Sequence, residues 1–566
     1  MIKIKKIEKF IIVILVALTI IRVGIALRNP THILQVEGLD DNLFYIHTDG
    51  IIHGKWLGDY EYGTLSKRIS FPIFIAICYE LMIPYNLGLM ILNISSAILI
   101  CLAFKKKINK WFLYLIYLLL IFSPTGFTTL ISQRSYRNAI LPYGVLYVFS
   151  VFIGMYLRKE EPVKNIIPWS IIGCITFPFF WHIKEDSIWV LPFIIVINFL
   201  FIINLLLTNK KDKKELIKKF VLIFLPFISL LIINIIISYL NYSYYGVFLI
   251  SDKGDGEFGR MISNMYKIED EEKSDDIWIS KKMLNDLSKV SPTFNTLQPE
   301  IVNNAAWLNE DGEVLGDLII WKIRYIMTNA GYFENAVKVQ EFSREVNQDI
   351  EKAFKDGTLK KNNNKIYISS QMRGLTIKEI FDYFPKTIQM MDKVSNYEGC
   401  GISINTTNTG DPNKIQYIQS VLGVITKDKG DLQDVSHRSE KVSNLIVDGF
   451  KKASFIINIL AIIGYLLYTI KMVTELISKK FEKLDIWFSI TGIILSALVA
   501  CLELVLFLDY LPDKLISRYR AFFAAGIFPL IQLFKYVSIY MLIMIIVNFV
   551  KAKIVQRKQK NIDIKS

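Results

Sequence analysis

The sequence is poor in charged residues and in cysteine. Only 21% of its 566 residues are charged, whereas 52% are hydrophobic, and a soluble globular protein of this size carries more charge. Of the five cysteines, only Cys400 lies in the long polar stretch of the chain, and no CxxC pair occurs. These absences exclude an internal disulfide in that stretch and a cysteine-based metal site.

Long apolar runs take the place of the missing charge. Residues 10–27, 111–130 and 220–240 are runs long enough to cross a hydrocarbon core of about 30 Å as helices. No small-residue cleavage site accompanies the first run, so we expect a retained span and not a signal peptide. The sequence therefore predicts an all-α polytopic membrane protein.

The distribution of basic residues predicts the topology. A net charge of +14 would suggest nucleic acid in a soluble protein, but here basic clusters separate apolar runs, as cytoplasmic loops do. About ten spans place every cluster on one side, with both termini cytoplasmic and no nucleic-acid partner. Residues 71–83, at about 13 residues too short to span, are expected in the outer interface. The predicted spans are residues 10–27, 87–104, 111–130, 139–157, 166–181, 187–207, 220–240, 453–473, 487–508 and 523–550.

This topology divides the chain into four parts in a cell membrane. Apolar residues recur at helical spacing within residues 314–326, so the part outside the membrane is expected to be mostly helical. The parts are an N-terminal transmembrane module over residues 1–240 with its first outer loop at residues 28–70, an extracytoplasmic domain over residues 241–452, C-terminal transmembrane helices over residues 453–550, and a basic cytoplasmic tail over residues 551–566.

Charged residues gather in the short loops that this topology places outside. The positive-inside rule disfavours arginine in short outer loops, so the presence of these residues needs another explanation. Together they suggest a site for an anionic lipid head group and a base. For any single residue, interface snorkelling or a loop ion pair is the alternative. No zinc spacing is evident, so no metal site is predicted. The candidates are Asp40 and Asp41, then Arg134 and Arg137, then Lys184, Glu185 and Asp186, and finally Arg518 and Arg520.

Several short motifs resemble the GT-C superfamily of membrane glycosyltransferases, which includes the protein O-mannosyltransferases and the lipid A aminoarabinose transferases. Asp40-Asp41-Asn42-Leu43-Phe44-Tyr45, shortly after the first span, resembles the acidic motif. Ser132-Gln133-Arg134 and Lys184-Glu185-Asp186 look like outer-loop motifs of bacterial members, and residues 316–359 look like the domain such proteins carry. One departure is Lys67-Arg68-Ile69-Ser70, which stands where those relatives usually show a Lys-Gly-Pro turn.

The resemblance implies transfer of a sugar from a polyprenyl-phosphate carrier to an acceptor outside the membrane, which is a cell-surface glycan, lipid or protein. Asp40 matches the first acidic position and is the implied general base; Asp41 would orient the acceptor or a bound cation. No cofactor is implied, although a divalent cation is left open. The implied phosphate-binding residues are Arg134, Arg137, Lys184, Arg518 and Arg520, and Glu185 and Asp186 would position sugar hydroxyls or brace the arginines.

Two other classes of protein remain as alternatives. A polytopic transporter or lipid flippase for envelope precursors commonly shows paired half-repeats, broken helices and charges at the membrane midplane, whereas the polar residues here crowd one face. A surface receptor or assembly scaffold would use the extracytoplasmic part alone. Of these three classes, only a transferase would consume a polyprenyl-phosphate-linked sugar.

Overall fold

The chain folds almost entirely into helices. Its one named sheet in the described part pairs β1 (Leu34–Gln35) with β2 (Thr409–Gly410) in parallel. The computed structural model describes residues 2–208, 212–367, 371–403, 407–426, 433–477 and 484–563.

The helices fall into three consecutive groups. The first group is α1 (Ile2–Arg28), α2 (Asp40–Ile52), α3 (Ser70–Glu80), α4 (Tyr85–Phe104), α5 (Lys110–Ile121), α6 (Leu141–Tyr156), α7 (Ile167–Trp181), α8 (Leu191–Thr208) and α9 (Lys213–Tyr245). The central segment, between α9 and the last group, holds α10 (Gly256–Lys267), α11 (Lys281–Val290), α12 (Pro292–Asn295), α13 (Gln298–Asn303), α14 (Leu318–Asn329), α15 (Ala336–Asp356), α16 (Ile377–Asp382), α17 (Phe384–Ser395) and α18 (Pro412–Leu422). The last group is α19 (Gln433–Ile477), α20 (Leu484–Leu508), α21 (Asp513–Phe523) and α22 (Phe528–Asp563).

Nine helical stretches in the described part are long and apolar enough to cross a membrane, which confirms the predicted all-α, multi-span class. They lie in nine of the ten predicted spans. Two of these stretches, Lys110–Phe127 and Val163–Trp181, consist of α5 and α7 with an adjoining 3₁₀ turn. The remaining predicted span, residues 139–157, forms the shorter α6. Its 16 residues reach about 24 Å at 1.5 Å per residue. All but Tyr147 of α6 are buried, because α4, α7 and α8 pack around it. The run at residues 71–83 forms the short α3, too short to span.

The two ends of the helix bundle carry different charged clusters. At one end, Asp485 at the start of α20 accepts hydrogen bonds from Lys107 at 2.8 Å and Lys159 at 2.6 Å. These lysines follow α4 and α6, so three inter-helix connections meet there. The opposite end, here called the Asp40 end, carries α2, α3 and the central segment. The last three residues of the tail predicted over residues 551–566 lie outside the described residues.

Arg22 is a charged residue buried within α1. Its side chain is 2% exposed, and its Nε donates to the carbonyl of Ile121 at 2.9 Å while Nη2 donates to the carbonyl of Gly126 at 3.0 Å. The guanidinium also lies 4.0 Å from the ring centroid of Phe127. A Cβ on residue 126 would lie 2.5 Å from Nη2, so glycine there lets the backbone approach Arg22.

The central segment is joined to the bundle through buried polar contacts. Within the segment, Arg324 of α14 and Asp252, which lies between α9 and α10, are both fully buried and form a two-pronged ion pair at 2.9 and 3.1 Å. Arg324 also donates to the carbonyl of Tyr62, in the loop after α2. Tyr510, just after α20, donates to Asp317 at 2.6 Å. The central segment therefore packs against the Asp40 end through specific side chains.

Candidate active site

The first turn of α2 sets the direction of two neighbouring carboxylates. Asp40 and Asp41 are the first two residues of this helix, where the helix dipole favours negative charge. One turn later, Phe44 is fully buried and packs edge-on against Phe71 and Tyr136, with ring centroids 5.4 and 5.5 Å away. This apolar contact fixes the helix, so the two carboxylates point to different partners.

Asp41 is held by Arg134. The guanidinium donates from Nε and Nη2 to the two carboxylate oxygens at 2.7 and 2.5 Å, and the Asp41 side chain is 0% exposed. Arg134 is itself positioned by a backbone bridge to His32 and lies over the rings of Tyr136 and Phe522. Asp41 is therefore shielded from an incoming substrate.

Glu185 forms a second buried pair, with Arg137. Nη1 of Arg137 lies 2.9 and 2.6 Å from the two carboxylate oxygens, and the backbone N–H of Arg68 donates to the same carboxylate at 2.9 Å. Burial alone would raise the pKa of Glu185, but the charges on Arg137 and Lys67 outweigh it and hold that pKa well below its usual range.

Asp40 is the more accessible of the paired carboxylates on α2. Lys67 Nζ lies 2.8 Å from its Oδ2, and the hydroxyl of Tyr136 donates to the same oxygen at 2.8 Å. The Asp40 side chain is nevertheless 28% exposed. Burial would raise the pKa of Asp40, but the charges on Lys67 and Arg137 outweigh it and lower that pKa to about 2. Asp40 is therefore an ionised, reachable carboxylate.

The central segment contributes a second lysine beside the first. Lys67 Nζ lies 5.1 Å from the ring centroid of Trp321 on α14, and Lys253 Nζ lies 5.0 Å from the same centroid. Lys253 is also 3.5 Å from a carboxylate oxygen of Asp317, and burial lowers the pKa of Lys253 although Asp317 opposes the shift. One indole ring thus carries two buried ammonium groups, one of which contacts Asp40.

The other candidate residues lie in separate contacts. Lys184 pairs with Asp186 at 2.7 Å. On α21, Arg520 pairs with Glu398, while Arg518 lies beside the ring of Tyr519. Among the contacts of the described residues, none joins these four side chains to Asp40.

The structure thus brings together Asp40 and Asp41 from the start of α2 with Arg134, Arg137 and Glu185 from two separate connections between helices. Sequence reasoning did not assign Lys67, Tyr136, Lys253, Asp317 or Trp321 to this cluster. Lys67 carried a signal, because it begins the stretch that departs from the Lys-Gly-Pro turn, and Tyr136 stands beside Arg137 in a loop already singled out. The three residues of the central segment carried none, since nothing in the sequence relates them to α2.

The described residues contain no group of three or more His, Cys, Asp and Glu side chains that could hold a metal ion. Each carboxylate of the cluster has a cationic partner instead. This arrangement suits a site in which cationic side chains bind an anion and a carboxylate accepts a proton. Comparisons with protein-family models, curated proteins and solved structures found no match to this chain.

Proposed function

We propose that this chain is a membrane glycosyltransferase that moves a sugar from a polyprenyl-phosphate donor to a cell-envelope acceptor. The observation that carries the proposal is the exposure of one carboxylate in a cationic cluster. Asp40 is 28% exposed beside Lys67, whereas the neighbouring carboxylates Asp41 and Glu185 are 0% and 9% exposed and each paired with an arginine. The resemblance of the acidic motif to the GT-C superfamily points to the same residue.

Asp40 is suited to accept the proton of an acceptor hydroxyl as the bond to the sugar breaks. A carboxylate with a pKa of about 2 is a weak base while Lys67 is bound to it. As the donor phosphate gains negative charge, Lys67 is drawn toward the phosphate and the pKa of Asp40 rises. The proton moves to Asp40 and the negative charge moves to the leaving phosphate, so the net charge of the cluster stays constant during transfer.

The two lysines on Trp321 are better placed for the donor phosphate than the two arginines of the cluster. Arg134 and Arg137 are engaged with carboxylates at 2.5 to 2.9 Å. Lys67 is buried and contacts the reachable Asp40, and Lys253 shares its aromatic ring. The charge on Lys67 helps to lower the pKa of Lys253, so an anion bound near either ammonium group would stabilise both charges. On this proposal, Arg134 and Arg137 brace Asp41 and Glu185.

Donor consumption tests the proposal. Purified protein in detergent is incubated with undecaprenyl-phosphate-linked sugars and an extract of cell-envelope acceptors, and the release of undecaprenyl phosphate is measured. A transferase releases the lipid phosphate in proportion to the sugar that appears on the acceptor. A transporter, a flippase or a scaffold leaves the donor intact, and that result across a panel of sugars would refute the proposal.

Replacing Lys67 with methionine should weaken the binding of undecaprenyl phosphate at least about tenfold, because a charge-assisted hydrogen bond contributes about 1.5–3 kcal/mol. The affinity is measured with the purified full-length protein by microscale thermophoresis. Lys289→Met, at an exposed lysine of α11, is the control and should bind normally. If Arg518→Ala and Arg520→Ala weaken binding while Lys67→Met does not, the phosphate binds at α21 instead.

The proposed topology has both termini in the cytoplasm and the Asp40 end outside. Single cysteines replace Lys289 of the central segment and Lys106, after α4, in a background without the native cysteines; both lysine side chains are more than half exposed. An impermeant maleimide should label position 289 and leave position 106 unlabelled in intact cells. Labelling of position 106 alone would show that the chain has the opposite orientation to the one proposed.

A further inference from the structure

Two consecutive helices of the central segment expose a stripe of large apolar side chains. Ile377, Phe381, Phe384 and Ile388 follow one another at three- to four-residue spacing along α16 and α17, and they are 63%, 69%, 42% and 49% exposed. The adjacent face of α17, with Thr387, Met390 and Val394, is buried against α20 and α22. A contiguous apolar stripe of this kind marks an interaction surface.

The first end of α17 is fixed at the end of a membrane helix. Asp509 directly follows Leu508, the last residue of α20. It accepts a hydrogen bond from the hydroxyl of Tyr383 and another, at 2.8 Å, from Lys386. Because Tyr383 stands between Phe381 and Phe384, the middle of the stripe lies at the level where α20 leaves its apolar run.

The second end of α17 lies deeper along the bundle. Lys535 donates to the carbonyl of Ser395, the last residue of α17, and stands seven positions after Phe528, the start of α22. At 1.5 Å per residue this is about 10 Å along the helix. Asn458 of α19 donates to Ser395 Oγ at 2.7 Å. Thus α17 is tied to three membrane-length helices and passes alongside their ends.

From these contacts we propose that the apolar stripe of α16 and α17 lies in the lipid bilayer at the Asp40 end and anchors the central segment to it. The occupant of this face is acyl chain, because α17 ends against the apolar run of α19, where Phe455, Ile456 and Ile459, on either side of Asn458, are 69%, 62% and 42% exposed. A helix lying in the interface typically buries its apolar face about 5–10 Å into the boundary, which matches the depth set by Lys535. The proposal is independent of the transferase reaction.

The depth of the stripe is measured on the full-length protein reconstituted into phosphatidylcholine and phosphatidylglycerol vesicles. A nitroxide is attached to a single cysteine at position 388 or, as a second site, position 381, and its collisions with oxygen and with a water-soluble nickel chelate are compared. Leu495, 53% exposed on α20, is the lipid reference, and Lys289 is the water reference. Elution as a single species and parental helical content confirm that each labelled protein is folded.

The ratio of oxygen to nickel collisions at positions 388 and 381 should exceed the ratio at position 289 and fall below the ratio at position 495, because Leu495 lies at the middle of α20 whereas the stripe lies near the boundary. A ratio equal to that at position 289 would place the stripe in water and overturn the proposal. Low collision rates with both reagents would show that protein covers the stripe, as in contact with a second copy, and would overturn it equally.

Discussion

Replacement of Asp40 by asparagine should lower the rate of sugar transfer by about 10²–10⁴-fold, the usual cost of removing a general base. Asparagine keeps the size of the side chain and accepts the hydrogen bond from Tyr136, but it cannot take the acceptor's proton. Release of undecaprenyl phosphate from the donor is the readout. The variant should still fold and bind undecaprenyl phosphate, so the loss should appear in kcat.

Asp286→Asn is the matched control, because Asp286 lies in an exposed pair with Lys289 on α11. It should transfer sugar at the parental rate. If Asp40→Asn matches the parental rate while Asp41→Asn or Glu185→Gln is inactive, the base has been assigned to the wrong carboxylate.

Replacement of Asp252 by alanine should lower the free energy of unfolding by about 3–5 kcal/mol, because it leaves the guanidinium of Arg324 buried without its ionic partner. Both side chains of this pair are fully buried, so water cannot compensate. The measurement is denaturant-induced unfolding in a mild detergent, followed by far-ultraviolet circular dichroism.

The exposed pair of Asp286 with Lys289 again provides the comparison, since Asp286→Ala should change the free energy of unfolding by no more than about 1 kcal/mol. Equal stabilities for the two variants would show that the buried pair does not hold the central segment in place. Because Arg324 also binds the carbonyl of Tyr62, Asp252→Ala should further increase proteolysis of the loop after α2.

The spans were predictable because length and apolar content decide whether a helix can cross a bilayer. The interfacial prediction for residues 71–83 rested on length alone, and the chain forms only the 11-residue α3 there. The full burial of α6 was not predictable, since an apolar run looks the same whether helices or lipid surround it. Its neighbours are decided by packing between distant parts of the chain.

The candidate site was predictable in part. The positive-inside rule drew attention to Arg134 and Arg137, but it does not say which carboxylate each one meets. Trp321 reaches Lys67 through the docking of α14, where Arg324 binds Asp252 and the carbonyl of Tyr62, and Lys253 reaches the same ring from the loop between α9 and α10. Such pairings join residues far apart in the chain and leave no local periodicity.

The burial of Arg22 has a consequence for how the protein is made. Its partner Ile121 lies 99 residues later in the chain. Until that residue has been synthesised, α1 carries an unpaired guanidinium six residues before its end, and arginine within a span disfavours membrane insertion, by about 2.5–3.5 kcal/mol at the helix centre and by less toward the helix end. The first helix is therefore translated first, but it reaches its full stability in the membrane only after α5 has been synthesised and can pair with Arg22.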